Sequence, residues 1–94
     1  MSRYELMTIV DAALSEEKAK ALSKEIQTNI ESLNGKITKS DFWGKRKLAY
    51  EIGSAREGFY DVTQFELEPE NLEKLKTKIK LMENVTRYLV TALS

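Results

Sequence analysis

The sequence contains no cysteine. That excludes disulfides, thiolate metal sites and thiol catalysis together, and it suits a reducing compartment. Histidine is absent too, so the side chain that most often moves protons near neutral pH, and most often ligates metals, is missing. The 94 residues include one proline and four glycines. The glycines, at positions 35, 44, 53 and 58, stand singly, so no glycine-rich phosphate loop can form. Apolar runs are only a few residues long, far short of the ~20 that a membrane-spanning helix needs. The opening Met1-Ser2-Arg3-Tyr4-Glu5 enters a strand-like pattern at once, without the apolar stretch of a secretory signal. Together these features predict a cytoplasmic protein. Net charge is lacking as well, with fifteen basic and fifteen acidic residues, which argues against a simple polybasic binder.

What remains is 41% hydrophobic and 32% charged, the balance of a soluble globular protein. The length predicts one domain over residues 1–94, with a modest core that buries somewhat over ~60% of the surface of the unfolded chain. The charge falls in blocks: −2 over residues 1–35, +4 over 36–56, −6 over 57–73 and +4 over 74–94. A chain of zero net charge can therefore present a basic face.

Hydrophobic periodicity predicts six elements. Tyr4 to Val10 is rich in β-formers and apolar on both faces, as expected of a central strand with one face on helices. Ser15 is a good N-cap, and Glu16 and Glu17 suit the positive end of a helix dipole. Ala19, Leu22, Ile26, Ile30 and Leu33 then form one helical stripe, closed by Asn34-Gly35, either of which tolerates the left-handed C-terminal position. A long strand region runs from Lys36 to Ile52, interrupted at Phe42, Trp43 and Gly44. Gly53 to Gly58 is a turn-rich connector, and Phe59 to Leu67 another strand. A second helix starts near Glu68-Pro69, with proline in its first turn. Lys74 to Leu81 alternates like a strand, but Leu72, Leu75, Ile79 and Met82 fit a helix better. Val85 to Ala92 is a final strand. The order strand, helix, strand, strand, helix, strand predicts an α+β fold: a ferredoxin-like split βαβ sandwich with four antiparallel strands and both helices on one face.

The acidic residues offer no catalytic pair. Glu16 and Glu17, and Glu66 to Glu73, cluster at helix starts, where the dipole accounts for them. Lys45-Arg46-Lys47 is more informative. On a strand Lys45 and Lys47 share a face and Arg46 takes the other, with Phe42, Trp43 and Tyr50 nearby. Basic side chains among aromatics can pair with phosphates and stack on unpaired bases; equally, lysines protect an exposed sheet edge from aggregation. Lys74, Lys76, Lys78 and Lys80 make like-charge i,i+4 pairs that a polyanion would relieve, or that Glu70 and Glu73 offset. Arg3 and Arg87 lie in the first and last strands, which neighbour each other in this topology, so the two are expected close together. Arginine suits bidentate phosphate contact.

Trp43-Gly44-Lys45-Arg46-Lys47-Leu48-Ala49-Tyr50-Glu51-Ile52 resembles the bacterial ribosomal protein S-six family pattern: tryptophan or leucine, glycine, any residue, arginine, any residue, leucine, alanine, tyrosine, usually proline, isoleucine. Arg3-Tyr4-Glu5 with Ile9-Val10, Gly35-Lys36-Ile37, Gly58-Phe59-Tyr60 and Asn84 through Val90 resemble further family segments, in the same order along nearly the whole chain. The resemblance implies the same ferredoxin-like fold and a structural constituent of the small ribosomal subunit. It further implies binding to the central domain of small-subunit ribosomal RNA together with ribosomal protein S-eighteen, in support of platform assembly and translation. It implies no catalytic residue, metal or cofactor. Arg3, Lys45, Arg46 and Arg87 occupy basic family positions, and Lys47 sits where basic or polar residues occur, so these five are the expected RNA-binding residues. Phe42, Trp43 and Tyr50 are the expected partner interface. Two features depart from the family: Glu51 stands where proline is usual, and Thr91-Ala92-Leu93-Ser94 is neutral where a basic tail is common.

Three alternatives share the order of elements. An RNA-recognition motif would match Arg56, Gly58, Phe59 and Val62, but Asp61 and Gln64 stand where it needs stacking aromatics. An acylphosphatase-like hydrolase would need a phosphate-cradling loop after the first strand, and none follows. A ferredoxin-like regulatory module is compatible with the fold, because fold does not fix function.

Overall fold

The computed structural model describes residues 1–49 and 55–93. Six elements follow one another: β1 (Ser2–Asp11), α1 (Glu16–Ser32), β2 (Lys36–Ala49), β3 (Ala55–Leu67), α2 (Pro69–Lys80) and β4 (Val85–Ala92). The strands form one antiparallel sheet in the order β2-β3-β1-β4, with both helices against one face, the ferredoxin-like arrangement expected from the sequence.

Alternation explains the packing. Tyr4, Leu6, Thr8 and Val10 of β1 pair in register with Phe65, Thr63, Asp61 and Phe59 of β3, and all eight are buried. Paired residues share a face of the sheet, and this is the face that the helices cover. Tyr4, Leu6, Phe65 and Leu67 meet Ile26 and Ile30 of α1 and Leu75 and Ile79 of α2 in the main core, while Val10, Phe59 and Ala19 form a smaller cluster with Phe42 at its margin.

The helix boundaries follow local chemistry. The Ser15 hydroxyl accepts the Lys18 N–H at 3.2 Å, and Glu16 and Glu17 occupy the first turn of α1. At its end Asn34, not Gly35, takes the left-handed conformation, with φ 66°. Gly35 serves the close approach instead, since a Cβ there would come within 2.8 Å of the Ile30 carbonyl oxygen. Asn71, in the first turns of α2, donates through Nδ2 to the Leu33 carbonyl at 3.1 Å, satisfying one of the acceptors that a helix end leaves open. The lysine-rich segment is helical: Pro69 opens α2, Leu75 and Ile79 are buried, and Lys76 pairs with Glu73 at 3.2 Å.

Two expected boundaries differ. β2 is not interrupted at residues 42–44; it carries a bulge there and continues to Ala49. β3 begins at Ala55 rather than Phe59, because Ala55 to Gly58 already pair with Ala49 to Arg46. The expected end of the β2 strand, including Tyr50 and Ile52, lies outside the described residues.

Candidate nucleic-acid interface

The sheet face away from the helices carries the rows that pair Gln64 with Glu5, Val62 with Met7 and Tyr60 with Ile9. On the β2 side these rows extend to Lys39, Asp41 and Gly44, and on the β4 side to Thr91, Leu89 and Arg87. The bulge at Phe42/Gly44 decides which β2 side chains join this face. Phe42 pairs with Asp61 and Gly44 with Tyr60, so Trp43 is one residue more than the ladder needs. An inserted residue reverses the facing of everything beyond it. Before the bulge the even-numbered Ser40 and Phe42 face the helices; after it Lys45 does, and Arg46 takes the other face. Gly44 absorbs the distortion with φ 81°, a conformation open to glycine at no steric cost.

The consequences are visible in the side chains. Phe42 stacks on Phe59 with ring centroids 6.3 Å apart, and the Lys20 ammonium lies 5.7 Å from its ring. The Lys45 ammonium sits 5.6 Å from the Phe59 ring, and Lys47 pairs in register with Glu57. On the opposite face Trp43 stacks on Tyr60 at 6.4 Å and 19°, and its indole N–H donates to the Asp41 carboxylate at 3.2 Å. Arg46 donates through Nε to the Trp43 carbonyl at 3.0 Å. That bond ties the guanidinium to the bulge, and Arg46 remains exposed.

Of the expected RNA-binding residues, Lys45, Arg46 and Lys47 therefore come together on one strand but divide between two faces. Arg3 and Arg87 do not come together. Their strands are neighbours but antiparallel: Arg87 pairs with Ile9, whereas the Arg3 carbonyl accepts the Leu93 N–H. Six residues of strand separate them, roughly 20 Å. Of the expected partner residues, Phe42 is engaged with Phe59 on the helix side, Trp43 lies on the other face, and Tyr50 falls outside the described residues.

Two residues have structural roles that the sequence pattern alone does not assign. Tyr60 is wholly buried beneath the Trp43 stack; its parity with Val62 and Gln64 was the available signal. Asp61, one position on, points to the helices. Its Oδ2 accepts the Ser23 hydroxyl at 2.7 Å and lies 3.4 Å from that of Thr63, while Oδ1 has no partner. Burial pushes the Asp61 carboxyl above the ordinary aspartate value; the bonds from Ser23 and Thr63 pull it back, and Asp41 adds a smaller upward push. Among the described residues no three acidic, histidine or cysteine side chains gather as a metal site, and no helix is long and apolar enough to cross a membrane.

Comparison with known proteins agrees with this architecture. A solved 30S ribosomal protein S6 from Thermotoga maritima superimposes with a TM-score of 0.86 and 32% identity, covering 97% of this chain and 86% of that one. The CheA P2 domain of the same organism's chemotaxis kinase shares the fold alone, at TM-score 0.61 and 13% identity over 98% of both chains. The small ribosomal subunit protein bS6 of Dictyoglomus turgidum is 39% identical over 99% of this chain and 96% of its own length, and that of Symbiobacterium thermophilum 40% identical over 96% and 95%. These relatives are ribosomal proteins and not enzymes. The model of the family described as Ribosomal protein S6 matches residues 3–92, and the chain belongs to this family of small-subunit ribosomal proteins.

Proposed function

We propose that the chain, as one domain over residues 1–94, binds the central domain of small-subunit (16S-type) ribosomal RNA jointly with ribosomal protein S-eighteen and so supports platform assembly and translation. The observation that carries this reading is the β2 bulge, which sets the exposed Arg46 on the same face as the Trp43–Tyr60 stack. An exposed planar guanidinium held in place by the bulge suits phosphate pairing. Arg87 shares that face from the far side of the sheet, Arg3 lies at its other end, and Lys45 and Lys47 flank Arg46 along the β2 edge. The middle of β2 around Trp43, with Phe42 behind it, is the proposed docking place for S-eighteen; Tyr50, the third proposed partner residue, lies outside the described residues.

The mechanism is placement. A few phosphates are neutralised in a folded junction, and whatever binds only the folded RNA shifts its equilibrium toward that state. With zero net charge and few phosphate contacts, the chain alone binds RNA weakly, and the partner adds affinity and register. Tight, partner-independent binding to random RNA contradicts this.

Titration of a central-domain RNA fragment with S-eighteen present, at several salt concentrations, is the test. Arg46→Ala weakens assembly more than Lys20→Ala on α1, and it makes the log–log salt dependence shallower by about 0.7–0.9. An unchanged slope assigns Arg46 to the fold or the protein interface instead.

A further inference from the structure

The outer edge of β4 has a composition unlike that of β2. Val85–Ala92 reads VTRYLVTA, with one charge among β-branched and apolar residues, and β4 closes the sheet on that side. The Leu93 N–H points inward to the Arg3 carbonyl, so alternation turns the backbone groups of Tyr88, Val90 and Ala92 outward. Leu89 is 60% exposed on the face away from the helices, beside Met7. An edge with unspent hydrogen-bonding groups and an exposed leucine at its centre is a template for another strand.

We infer that β4 pairs antiparallel with β4 of a second copy of this chain about a two-fold axis at Leu89, forming a continuous eight-stranded sheet. The occupant is argued from self-complementarity. Under a two-fold axis perpendicular to the sheet, residues of equal parity must face one another so that both copies keep their helices on one side. With Leu89 on the axis, Tyr88 lies opposite Val90 of the partner subunit, exchanging outward backbone hydrogen bonds. Leu89 meets Leu89 of the partner subunit, extending an apolar row that runs from Met7 of one copy to Met7 of the other. Arg87 falls opposite Thr91 of the partner subunit, so the only charge on the strand meets no like charge. Behind that threonine in the same row stands Glu5, ~10 Å from the Arg87 backbone and of opposite sign. The interface is a single pair of strands and is small, so the dimer is weak and depends on concentration.

Sedimentation equilibrium of the chain alone, from micromolar to millimolar concentration, tests this. The weight-average mass rises from 10.8 kDa toward twice that value. Leu89→Lys and Leu89→Glu each weaken self-association by about tenfold or more, because each places like charges opposite one another on the axis. An equimolar mixture of the two variants restores the dimer through the opposite-charge pair. Leu89 is exposed, so both variants keep the fold, checked by circular dichroism. A monomer at all concentrations, a dimer indifferent to both variants, or no restoration on mixing overturns the inference. The first outcome leaves the edge to a strand of some other protein.

Discussion

Strand β2 spans fourteen residues, carries four lysines and an arginine, and breaks register twice against β3; β4, at the opposite edge of the same sheet, spans eight and carries one arginine. Charges and bulges are the usual protection of an exposed edge, and β2 has both. The structure divides its basic cluster between two faces of the sheet. Lys45 lies against Phe59 on the helix side, where it shields aromatic surface, whereas Arg46 is turned to the other face beside Trp43. These adjacent residues thus point in opposite directions, with Arg46 on the face proposed above for phosphate binding. β4 has less of each: a single arginine and one register shift against β1, near its Val85 end.

The comparison predicts unequal attachment, and the largest effect comes from breaking it at β2. Phe59 supports that edge through Phe42 and Lys45 and belongs to the second core cluster. Phe59→Ala should destabilise the fold by about 3–5 kcal/mol, read by urea denaturation. Tyr88→Ala, on the half-buried β4, should fall well below that; equal losses would show that the two edges are held alike. Gly44→Ala is the next largest. A Cβ there meets nothing within 4 Å, so only the φ of 81° is at issue, and a left-handed alanine costs about 1–2 kcal/mol. Since the bulge also aims Arg46, this variant should lose RNA affinity beyond its loss of stability; normal affinity in the folded variant would separate the bulge from binding.

How much of this was legible beforehand depended on whether a signal was periodic. The stripe from Ala19 to Leu33 and the set Leu72, Leu75, Ile79 and Met82 fixed both helices, even against the strand-like alternation of lysines in 74–80. Every strand was placed for the same reason. The bulge was not legible, because one extra residue in a ladder has no periodic signature, and Gly44 marks it only as an interruption. The facing of Trp43 and Arg46 could not be read without it. Arg3 and Arg87 are expected close together only when strand adjacency is considered without the antiparallel direction that the expected fold itself carries. Antiparallel pairing sets the start of one against the end of the other. Tyr50, the remaining expected site residue, lies outside the described residues.

The mildest change, Asp61→Asn, probes the ground between the two edges. Asp61 faces the helices from β3, in register with Phe42 of β2 on one side and Thr8 of β1 on the other. Its folded carboxyl holds a proton to higher pH than an ordinary aspartate, chiefly because it is buried. Folding therefore takes up a proton at Asp61 between the ordinary value, about 3.9, and the raised one. The stability linked to it is complete below the ordinary value and is lost as pH rises through the raised value. Asparagine keeps an oxygen for Ser23 and Thr63 but cannot titrate. The stability of the natural chain relative to Asp61→Asn should thus increase as pH falls from 7 toward 4, measured as the difference between two urea curves so that other carboxylates cancel. Hydrogen exchange should place that gain in the amides shared by β2 and β3 rather than in β4. A difference independent of pH would mean that the Asp61 carboxyl titrates as it does in the unfolded chain, and that the unpartnered Oδ1 is satisfied by solvent.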